Sequence, residues 1–202
     1  MVTIFFLSVF FVIYSYALYP LCLKLLPIKQ LITAAEPAEW PTISLIITAH
    51  NEASRIAEKL DNSLAINYPK DKLHIIVASD CSSDSTDNIV TSYSDKGIQL
   101  VRADQHLGKE YAQYCAIQQS HGDIIVFSDV STDIPTDAIT TLASYFTDPK
   151  VGAVSSEDRF ISDGGKIVGE SAYVRYEMWL RALESQHAGL VGLSGSFFAA
   201  RR

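Results

Sequence analysis

Apolar residues in this chain fall into separate runs, and the first run is far longer than the others. Residues 2–23 form 22 consecutive positions without a charged side chain. A helix of that length spans roughly 33 Å, which is enough to cross a hydrocarbon core of roughly 30 Å. Tyrosines gather toward its far end, where an aromatic belt would lie. The pattern predicts a transmembrane signal anchor over residues 1–26 and a linker over residues 27–40.

Two other interpretations of the first run are less well supported. A buried core helix with an apolar surface all round is rare in a protein of 202 residues. A cleaved signal peptide has a shorter apolar run with basic residues before it, and no Lys or Arg precedes this one. Because Lys24 and Lys29 follow the run, the positive-inside rule predicts that the rest of the chain lies on the cytoplasmic side of the inner membrane.

Residues 41–202 form the predicted cytoplasmic domain. Continuous apolar runs, typical of buried strands, alternate there with amphipathic stretches that are typical of helices. This alternation predicts an α/β fold in which helices cover both faces of a mostly parallel sheet. The predicted strands cover residues 43–48, 73–78, 99–102, 123–128 and 151–155. One predicted helix begins near residue 53, and three others cover residues 84–93, 109–119 and 136–146.

Composition excludes several classes of protein. The chain has 16 Lys and Arg against 23 Asp and Glu, a formal net charge of −7, which argues against a nucleic-acid partner. Its hydrophobic fraction of 48% excludes a disordered chain. The three cysteines form no CxxC pair, so we expect free thiols rather than a disulfide scaffold.

Polar residues follow three of the predicted strands, at residues 50–52, 80–84 and 129–133. The carboxyl ends of parallel strands meet at one sheet edge, where α/β proteins bind ligands. Carboxylates gathered there repel one another unless a cation compensates, and oxygen ligands suit Mg²⁺ or Mn²⁺, which in turn hold a diphosphate. Four polar residues in or near these ranges also fit the role of helix N-cap when each is considered alone: Asn51, Ser82, Asp84 and Asp137.

Several well-known motifs are absent from the sequence. The chain has no GxGxxG after the first strand, no GxxxxGK[ST] and no GxSxG, which argues against a Rossmann dehydrogenase, a P-loop enzyme and a serine hydrolase. The five histidines show no metal-ligand spacing. Gly108 and Lys109 open a predicted helix, where they fit a phosphate contact and an ordinary turn with a solvated lysine equally well.

Four stretches resemble glycosyltransferase family 2: PTISLIITAHNE, LHIIVASDCSSDST, HLGKEYAQYCA and GDIIVFSDVSTDIPTDAI. The resemblance implies the GT-A fold and an inverting transfer of sugar. YSYALYPL in the first run, and the later stretch GESAYVRYEMWLRALESQHAGLVGLSGSFFAARR, are similar to membrane-bound bacterial members that build polysaccharides.

The resemblance also implies roles for individual residues. Asp80 matches the residue that recognises the base, with Ser82 beside it, and Asp129 matches the first aspartate of a metal-binding Asp-x-Asp motif. Gly195 falls in the region near the acceptor. The implied nucleotide-sugar-binding residues are Thr48, Ala49, His50, Glu52, Asp80, Ser82, Lys109 and Asp129.

Two departures from the family pattern bear on metal binding and catalysis. Ser131 stands where the second aspartate is expected, so either Ser131 or Asp133 is the candidate second ligand beside Asp129. The family's general base follows the segment that matches the end of this chain, so we expect that base beyond Arg202 and expect the chain to be an amino-terminal fragment. Inside the chain, Glu157 and Asp158 are weaker candidates.

The resemblance implies a glycosyltransferase of the hexosyl or N-acetylhexosaminyl class, active in cell-surface polysaccharide synthesis. Its implied partners are a nucleotide-diphosphate sugar, first of all a UDP-sugar, a glycan or lipid-linked acceptor, and the membrane. Ser131 and the missing base leave a second interpretation open, a membrane-anchored module that binds nucleotide sugar without catalysis. A nucleotidyltransferase is disfavoured, because residues 48–56 carry no glycine- and arginine-rich loop.

Overall fold

The computed structural model describes residues 1–28, 33–157, 172–187, 189 and 192–202. The helices are α1 (Val2–Ile13), α2 (Tyr19–Leu25), α3 (Ile56–Leu64), α4 (Thr86–Thr91), α5 (Lys109–Gln119), α6 (Ala138–Tyr145) and α7 (Ala172–His187). The strands are β1 (Ile43–Ala49), β2 (Leu73–Ser79), β3 (Ile98–Arg102), β4 (Ile124–Asp129), β5 (Ala153–Ser155) and β6 (Phe197–Arg201). These elements fall into two compact units, one with α1, α2 and α7 and the other with the sheet and its helices.

The six strands form one mixed sheet in the order β3-β2-β1-β4-β6-β5. Strands β1 to β4 pair in parallel, as the apolar runs predict. The last two strands depart from the mostly parallel sheet, because β6 runs antiparallel to both β4 and β5. The sequence reading missed β6: its residues, FFAAR, are few and have weak strand propensity apart from the two phenylalanines.

Helices cover both faces of the sheet, as expected. Alternate residues of β1 point to opposite faces, so Leu45 and Ile47 join one buried cluster while Ile46 joins another. The first cluster is completed by side chains of α3, α4 and α6, and the second by Ala112 and Ala116 of α5. Each fully buried Ile or Leu contributes roughly 1.5–3 kcal/mol, so these clusters fix the strands firmly.

Strand register brings the carboxyl ends of three strands level with one another. Thr48 of β1 lies opposite Asp129 of β4, and Ala49 lies opposite Ser79 of β2. Helix α3 begins at Ile56, a few residues later than predicted, so the intervening residues form a loop at this edge of the sheet. The polar groups that follow each strand therefore share one edge.

The other unit contains the long apolar helix. Residues Val2–Leu25 form the one helix among the described residues that is long and apolar enough to cross a membrane, by length and composition. Ser8 and Ser15 donate their hydroxyls to the carbonyls of Ile4 and Phe11, 3.0 and 2.9 Å away. These bonds satisfy the serine hydroxyls within the helix, as a segment in an apolar medium requires.

A π-helical turn, Tyr14–Leu18, joins α1 to α2 just before Pro20. Proline has no N–H, so it leaves a carbonyl in the preceding turn without its helical donor. The hydroxyl of Tyr176 in α7 donates to the carbonyl oxygen of Tyr16 at 3.0 Å and supplies this bond. The hydroxyl of Tyr19 donates to Oε1 of Glu184 at 2.9 Å. Both bonds join α7 to the apolar helix.

Candidate functional site

Two parts of the carboxyl edge carry the candidate residues. The first, named here the β1–β2 edge, comprises residues 48–54 and 79–86. The second, the β4 edge, comprises residues 128–134. Both lie in the sheet unit.

Asn51 ties the two loops of the β1–β2 edge together. Its side-chain Oδ1 accepts from the backbone N–H of Ser83 at 2.8 Å and of Asp84 at 3.3 Å, and its own N–H donates to Oγ of Ser82 at 3.2 Å. Asn51 has φ +53°, a left-handed conformation that Asn tolerates better than most residues. The loops are therefore held by direct bonds across the edge.

The helix-cap interpretation of these residues is largely wrong. The N-cap positions of α3 and α4 are Arg55 and Ser85, and neither makes a side-chain cap bond. Asp84 is closest to a cap, because its Oδ1 accepts from the N–H and hydroxyl of Thr86, at 2.9 and 2.5 Å. These two bonds lower the pKa of the Asp84 carboxyl below its usual value. Asp137 occupies the N-cap position of α6 without a side-chain bond.

Asp80 lies at the centre of the β1–β2 edge, with only 5% of its side chain exposed. Its Oδ2 is 2.8 Å from Nδ1 of His106, and its Oδ1 accepts from the N–H of Gly108 at 3.3 Å. The ring of His106 stacks on that of His50, with centroids 4.4 Å apart and an angle of 17° between the planes. Asp80 therefore faces two imidazoles.

The remaining predicted residues of this edge have structural partners. Thr48 accepts a bond from Nε2 of Gln113 at 3.1 Å, and the carbonyl of Ala49 accepts from the N–H of Asp80 at 2.9 Å. Oγ of Ser82 lies 3.0 Å from Oγ of Ser79, and the carboxylate of Glu52 pairs with Arg55 at 2.8 Å.

Asp129 marks the β4 edge and pairs with a cation of the protein itself. Nζ of Lys109, the first residue of α5, lies 2.5 Å from Oδ1 of Asp129 and donates to the carbonyl oxygen of Gly195 at 2.8 Å. Three residues predicted from separate parts of the chain thus meet at one point. Both side chains of the pair remain substantially exposed, 41% for Lys109 and 33% for Asp129.

A buried lysine supports the β4 edge from below. Lys59 of α3 is 2% exposed, and its ammonium donates to Oγ of Ser128 at 2.8 Å and to the carbonyl of Thr132. Burial lowers the pKa of Lys59 to about 8, although the nearby carboxylates of Asp133 and Asp129 oppose the shift. Lys59 therefore holds the backbone that carries Ser131.

Of the two candidate second ligands, Ser131 is exposed and Asp133 is engaged elsewhere. Oδ1 of Asp133 accepts from Nδ2 of Asn62 at 2.6 Å, while Oδ1 of Asn62 accepts from the N–H of Ile134 at 3.0 Å. The carboxylate of Asp133 is exposed but is directed to Asn62 of α3, whereas that of Asp129 pairs with the exchangeable ammonium of Lys109.

Glu157 is an exposed residue that follows β5, and Asp158 lies outside the described residues. Sequence reasoning missed three residues of the site: His106, Lys59 and Asn62. His106 carries no spacing signal because it reaches Asp80 from a different loop. Lys59 looks like an ordinary solvated lysine on an amphipathic helix.

Comparisons with known proteins bear on both the family and the fold. The family model for glycosyl transferase family 2 matches residues 44–202. The probable glycosyltransferase YdaM of Bacillus subtilis is 35% identical over 130 residues, which cover 61% of this chain and 31% of that protein. The poly-beta-1,6-N-acetyl-D-glucosamine synthase of Staphylococcus aureus is 29% identical over 164 residues, 79% of this chain and 39% of the synthase. The matches therefore span less than two fifths of these relatives.

Solved structures with the same fold include the mannosyltransferase PcManGT from Pyrobaculum calidifontis, in complex with GDP-Man and Mn²⁺. It superimposes with a TM-score of 0.70 at 26% identity, covering 92% of this chain and 51% of that one. TarS 1–349 of Staphylococcus aureus in complex with UDP-GlcNAc gives a TM-score of 0.54 at 22% identity, over 64% of this chain and 37% of that one. These overlaps confirm the predicted GT-A type of α/β fold.

Proposed function

Because the chain belongs to glycosyl transferase family 2, we propose that it contributes to an enzyme that moves a sugar from a nucleotide-diphosphate sugar to an acceptor, with inversion. The observation that carries the proposal is the placement of Asp80 after β2 and Asp129 at the end of β4, on one sheet edge. The start of α5 links the two, because the N–H of Gly108 bonds to Asp80 and Lys109 pairs with Asp129. In such a transfer the acceptor hydroxyl attacks the anomeric carbon, the bond to the diphosphate breaks and a carboxylate takes the proton.

The relatives support a UDP-sugar as donor and a polysaccharide as product. Several are named N-acetylglucosaminyltransferases, and one is a poly-N-acetylglucosamine synthase. Structural neighbours were solved with UDP-GlcNAc and with UDP. We therefore favour a hexosyl- or N-acetylhexosaminyl-transferase that acts on a glycan or lipid-linked acceptor in cell-surface polysaccharide synthesis.

The two parts of the edge have different proposed roles. Asp80 would orient the base from the β1–β2 edge, with His50 beside it and Thr48, Ala49, Glu52 and Ser82 shaping the loops. Lys109 would meet the diphosphate, because its ammonium already lies at Asp129. Gly195 would lie near the acceptor. The general base is proposed beyond Arg202, and Glu157 and Asp158 are the weaker alternatives.

The residues of the β4 edge fit a Mg²⁺ or Mn²⁺ ion. Asp129 offers an exposed carboxylate, and the ammonium of Lys109 at 2.5 Å indicates that this oxygen attracts a cation. Such ions need only one or two protein carboxylates when phosphates and waters complete their coordination. Asp129 would hold the ion, with Ser131 as the adjacent neutral oxygen. The bound ion would neutralise negative charge on the departing diphosphate.

The apolar helix supports anchoring in the membrane. Its 24 residues suffice to span a bilayer, and Lys24 and Lys29 follow its apolar part, which favours a cytoplasmic location for the sheet unit. A cytoplasmic location on the inner membrane would give the site access to nucleotide sugars and to lipid-linked acceptors.

Nucleotide binding tests the proposal directly. We expect the detergent-solubilised chain to bind UDP in the presence of Mn²⁺, and we expect Asp80→Ala and Asp129→Ala each to weaken binding at least tenfold. Asp71→Ala is the matched control, because this exposed residue lies before β2, at the opposite end of the strands. Absence of binding by the wild type, or equal binding by all variants, would contradict the proposal.

Ser131, which stands where the family pattern has a second metal-binding aspartate, favours a second candidate, a membrane-anchored module that binds nucleotide sugar without transferring it. This module would share the binding results above. Because the general base is proposed beyond Arg202, membranes that carry the full-length protein would decide between the two candidates. Only a transferase releases UDP from UDP-N-acetylglucosamine faster than membranes carrying its Asp129→Ala variant.

A further inference from the structure

We infer that His50, Asp80 and His106 form a binding site for a transition-metal ion such as Zn²⁺, separate from the Asp129 position. One ligand atom from each residue lies within 4.8 Å of the other two. Two imidazoles and one carboxylate suit Zn²⁺, whereas Mg²⁺ prefers a set of oxygen ligands. The inference goes beyond the proposed function, in which the ion belongs to Asp129 and the diphosphate.

The hydrogen bonds of His50 define which of its nitrogens is available. Oδ1 of Asn51 accepts from the N–H groups of Ser83 and Asp84, so its amide nitrogen Nδ2 faces Nε2 of His50 at 3.1 Å. An amide nitrogen only donates, so Nε2 carries the lone pair and Nδ1 carries the hydrogen. Nδ1 donates to the backbone carbonyl of Asp80 at 2.6 Å.

This arrangement is the one that metal-binding histidines adopt. In such sites one ring nitrogen donates to a carbonyl or carboxylate, which fixes the tautomer, while the other nitrogen binds the ion. His50 therefore has the required outer contact before any ion arrives. Binding would replace its bond from Asn51 with a bond to the ion.

Asp80 and His106 complete the set. Oδ1 of Asp80 is held by the N–H of Gly108, while Oδ2 faces Nδ1 of His106 at 2.8 Å. The loop that carries His106 is fastened to α5, because the hydroxyl of Tyr111 donates to Asp104 at 2.5 Å. With 60% of its side chain exposed, His106 has room to turn a nitrogen toward an ion bound at Oδ2.

The movement required is small. Ligand atoms around a tetrahedral Zn²⁺ lie about 3.3 Å apart, given bond lengths near 2.0–2.1 Å. Since one ligand atom of each residue already lies within 4.8 Å of the others, rotation of the exposed His106 ring and a shift of Nε2 of His50 toward Oδ2 of Asp80 would approach that spacing, with water as the fourth ligand. His50 and Asp80 each precede a residue with positive φ, Asn51 at +53° and Cys81 at +52°. Such backbone conformations concentrate at ligand-binding sites.

The site has a consequence for the proposed function, on which this step rests. A base recognised by Asp80 and an ion bound at Oδ2 of Asp80 need the same carboxylate. Zn²⁺ and the nucleoside therefore exclude each other, and Zn²⁺ would act as a competitive inhibitor of donor binding.

Metal binding to the solubilised chain without nucleotide tests the site itself. We expect one Zn²⁺ by calorimetry and, for Co²⁺, visible absorption of a site with nitrogen ligands. Affinity for Zn²⁺ should fall at least tenfold in His50→Ala and in His106→Ala. His106 is exposed, so its removal leaves the fold intact, which circular dichroism checks. The control His121→Ala removes an exposed histidine from the loop before β4 and should keep the affinity.

Two results would overturn the site: unchanged Zn²⁺ affinity in both histidine variants, or loss of affinity in Asp129→Asn, which would assign the ion to the β4 edge.

Uridine tests whether Zn²⁺ and the nucleoside exclude each other at Asp80, because uridine has no phosphate to chelate the ion. We expect uridine to weaken Zn²⁺ binding in proportion to its own occupancy. Simultaneous binding would refute exclusion. If uridine does not bind the metal-free chain, base recognition by Asp80 fails while the metal site stands.

Discussion

The β1–β2 edge and the β4 edge share a sheet but are stabilised in different ways. At the β1–β2 edge, loop groups bind one another directly, as Asn51 does with Ser83 and Asp84. At the β4 edge, two exposed charges, Lys109 and Asp129, pair with each other above a buried lysine. The loops of the first edge are therefore held by internal bonds, whereas a ligand proposed for the second edge would replace its ion pair.

The largest expected effect concerns the buried ammonium under the β4 edge. Lys59 has a pKa of about 8 when folded, against an ordinary value of 10.5, so the unfolded chain binds more protons between these values. Its contribution to stability therefore rises with pH across that window. We expect the free energy of unfolding of wild type, relative to Lys59→Met, to gain about 3 kcal/mol from pH 7 to pH 10.5.

Urea unfolding of both proteins in detergent at each pH measures this difference. Lys70→Met, at a more exposed lysine, serves as the control and should show no comparable gain. A difference between wild type and Lys59→Met that stays constant with pH would mean that Lys59 remains charged in the folded protein and that the β4 edge is less dry than its burial implies.

The next effect concerns the cross-loop bonds of the β1–β2 edge. Asn51→Ala removes an acceptor of backbone N–H groups and places alanine at φ +53°. Together these changes should cost about 2 kcal/mol of unfolding free energy. Asn51→Gly removes the same bonds but accepts the conformation, so it should cost about 1 kcal/mol. Equal losses in the two variants would mean that the left-handed backbone conformation at residue 51 adds nothing to the cost of the alanine substitution.

The smallest effect concerns the exposed ion pair. Removing the ammonium in Lys109→Met leaves Asp129 free for a metal ion, and half-exposed pairs of this kind contribute at most about 1 kcal/mol. We therefore expect nucleotide-free affinity for Mn²⁺, measured by electron paramagnetic resonance, to rise up to about fivefold. Lys150→Met, at an exposed lysine after α6, should leave the affinity unchanged. A fall in Mn²⁺ affinity would mean that Lys109 helps to bind the ion rather than competing with it for Asp129.

Much of the fold is predictable because the strands are apolar runs with polar ends. The runs that became β1, β2 and β4 lie within a residue or two of their predicted bounds, and α5 matches its prediction. Strand β6 was not predicted because it is short and pairs with a strand that is far away in sequence. The start of α3 was misplaced because residues 50–53 bind across the edge to the loop after β2 instead of starting a helix.

The site was predictable to the extent that each residue ends a strand or opens a helix. Asp80, Asp129 and Lys109 satisfy this condition, and the structure brings them to one edge. His106 and Lys59 do not, because one lies inside a loop and the other on a helix face. Their importance comes from tertiary contacts with Asp80 and with the Thr132 carbonyl.

Pro20 has a consequence for the order in which the protein assembles. The carbonyl of Tyr16 lacks its helical donor from the moment the first helix forms, and the hydroxyl that supplies the bond belongs to Tyr176. At a synthesis rate of roughly 5–20 residues per second, that tyrosine emerges many seconds later. The bond from Tyr176 is therefore absent through most of translation. The contact between α7 and the apolar helix forms only after α7 has been made, although the apolar helix is made first.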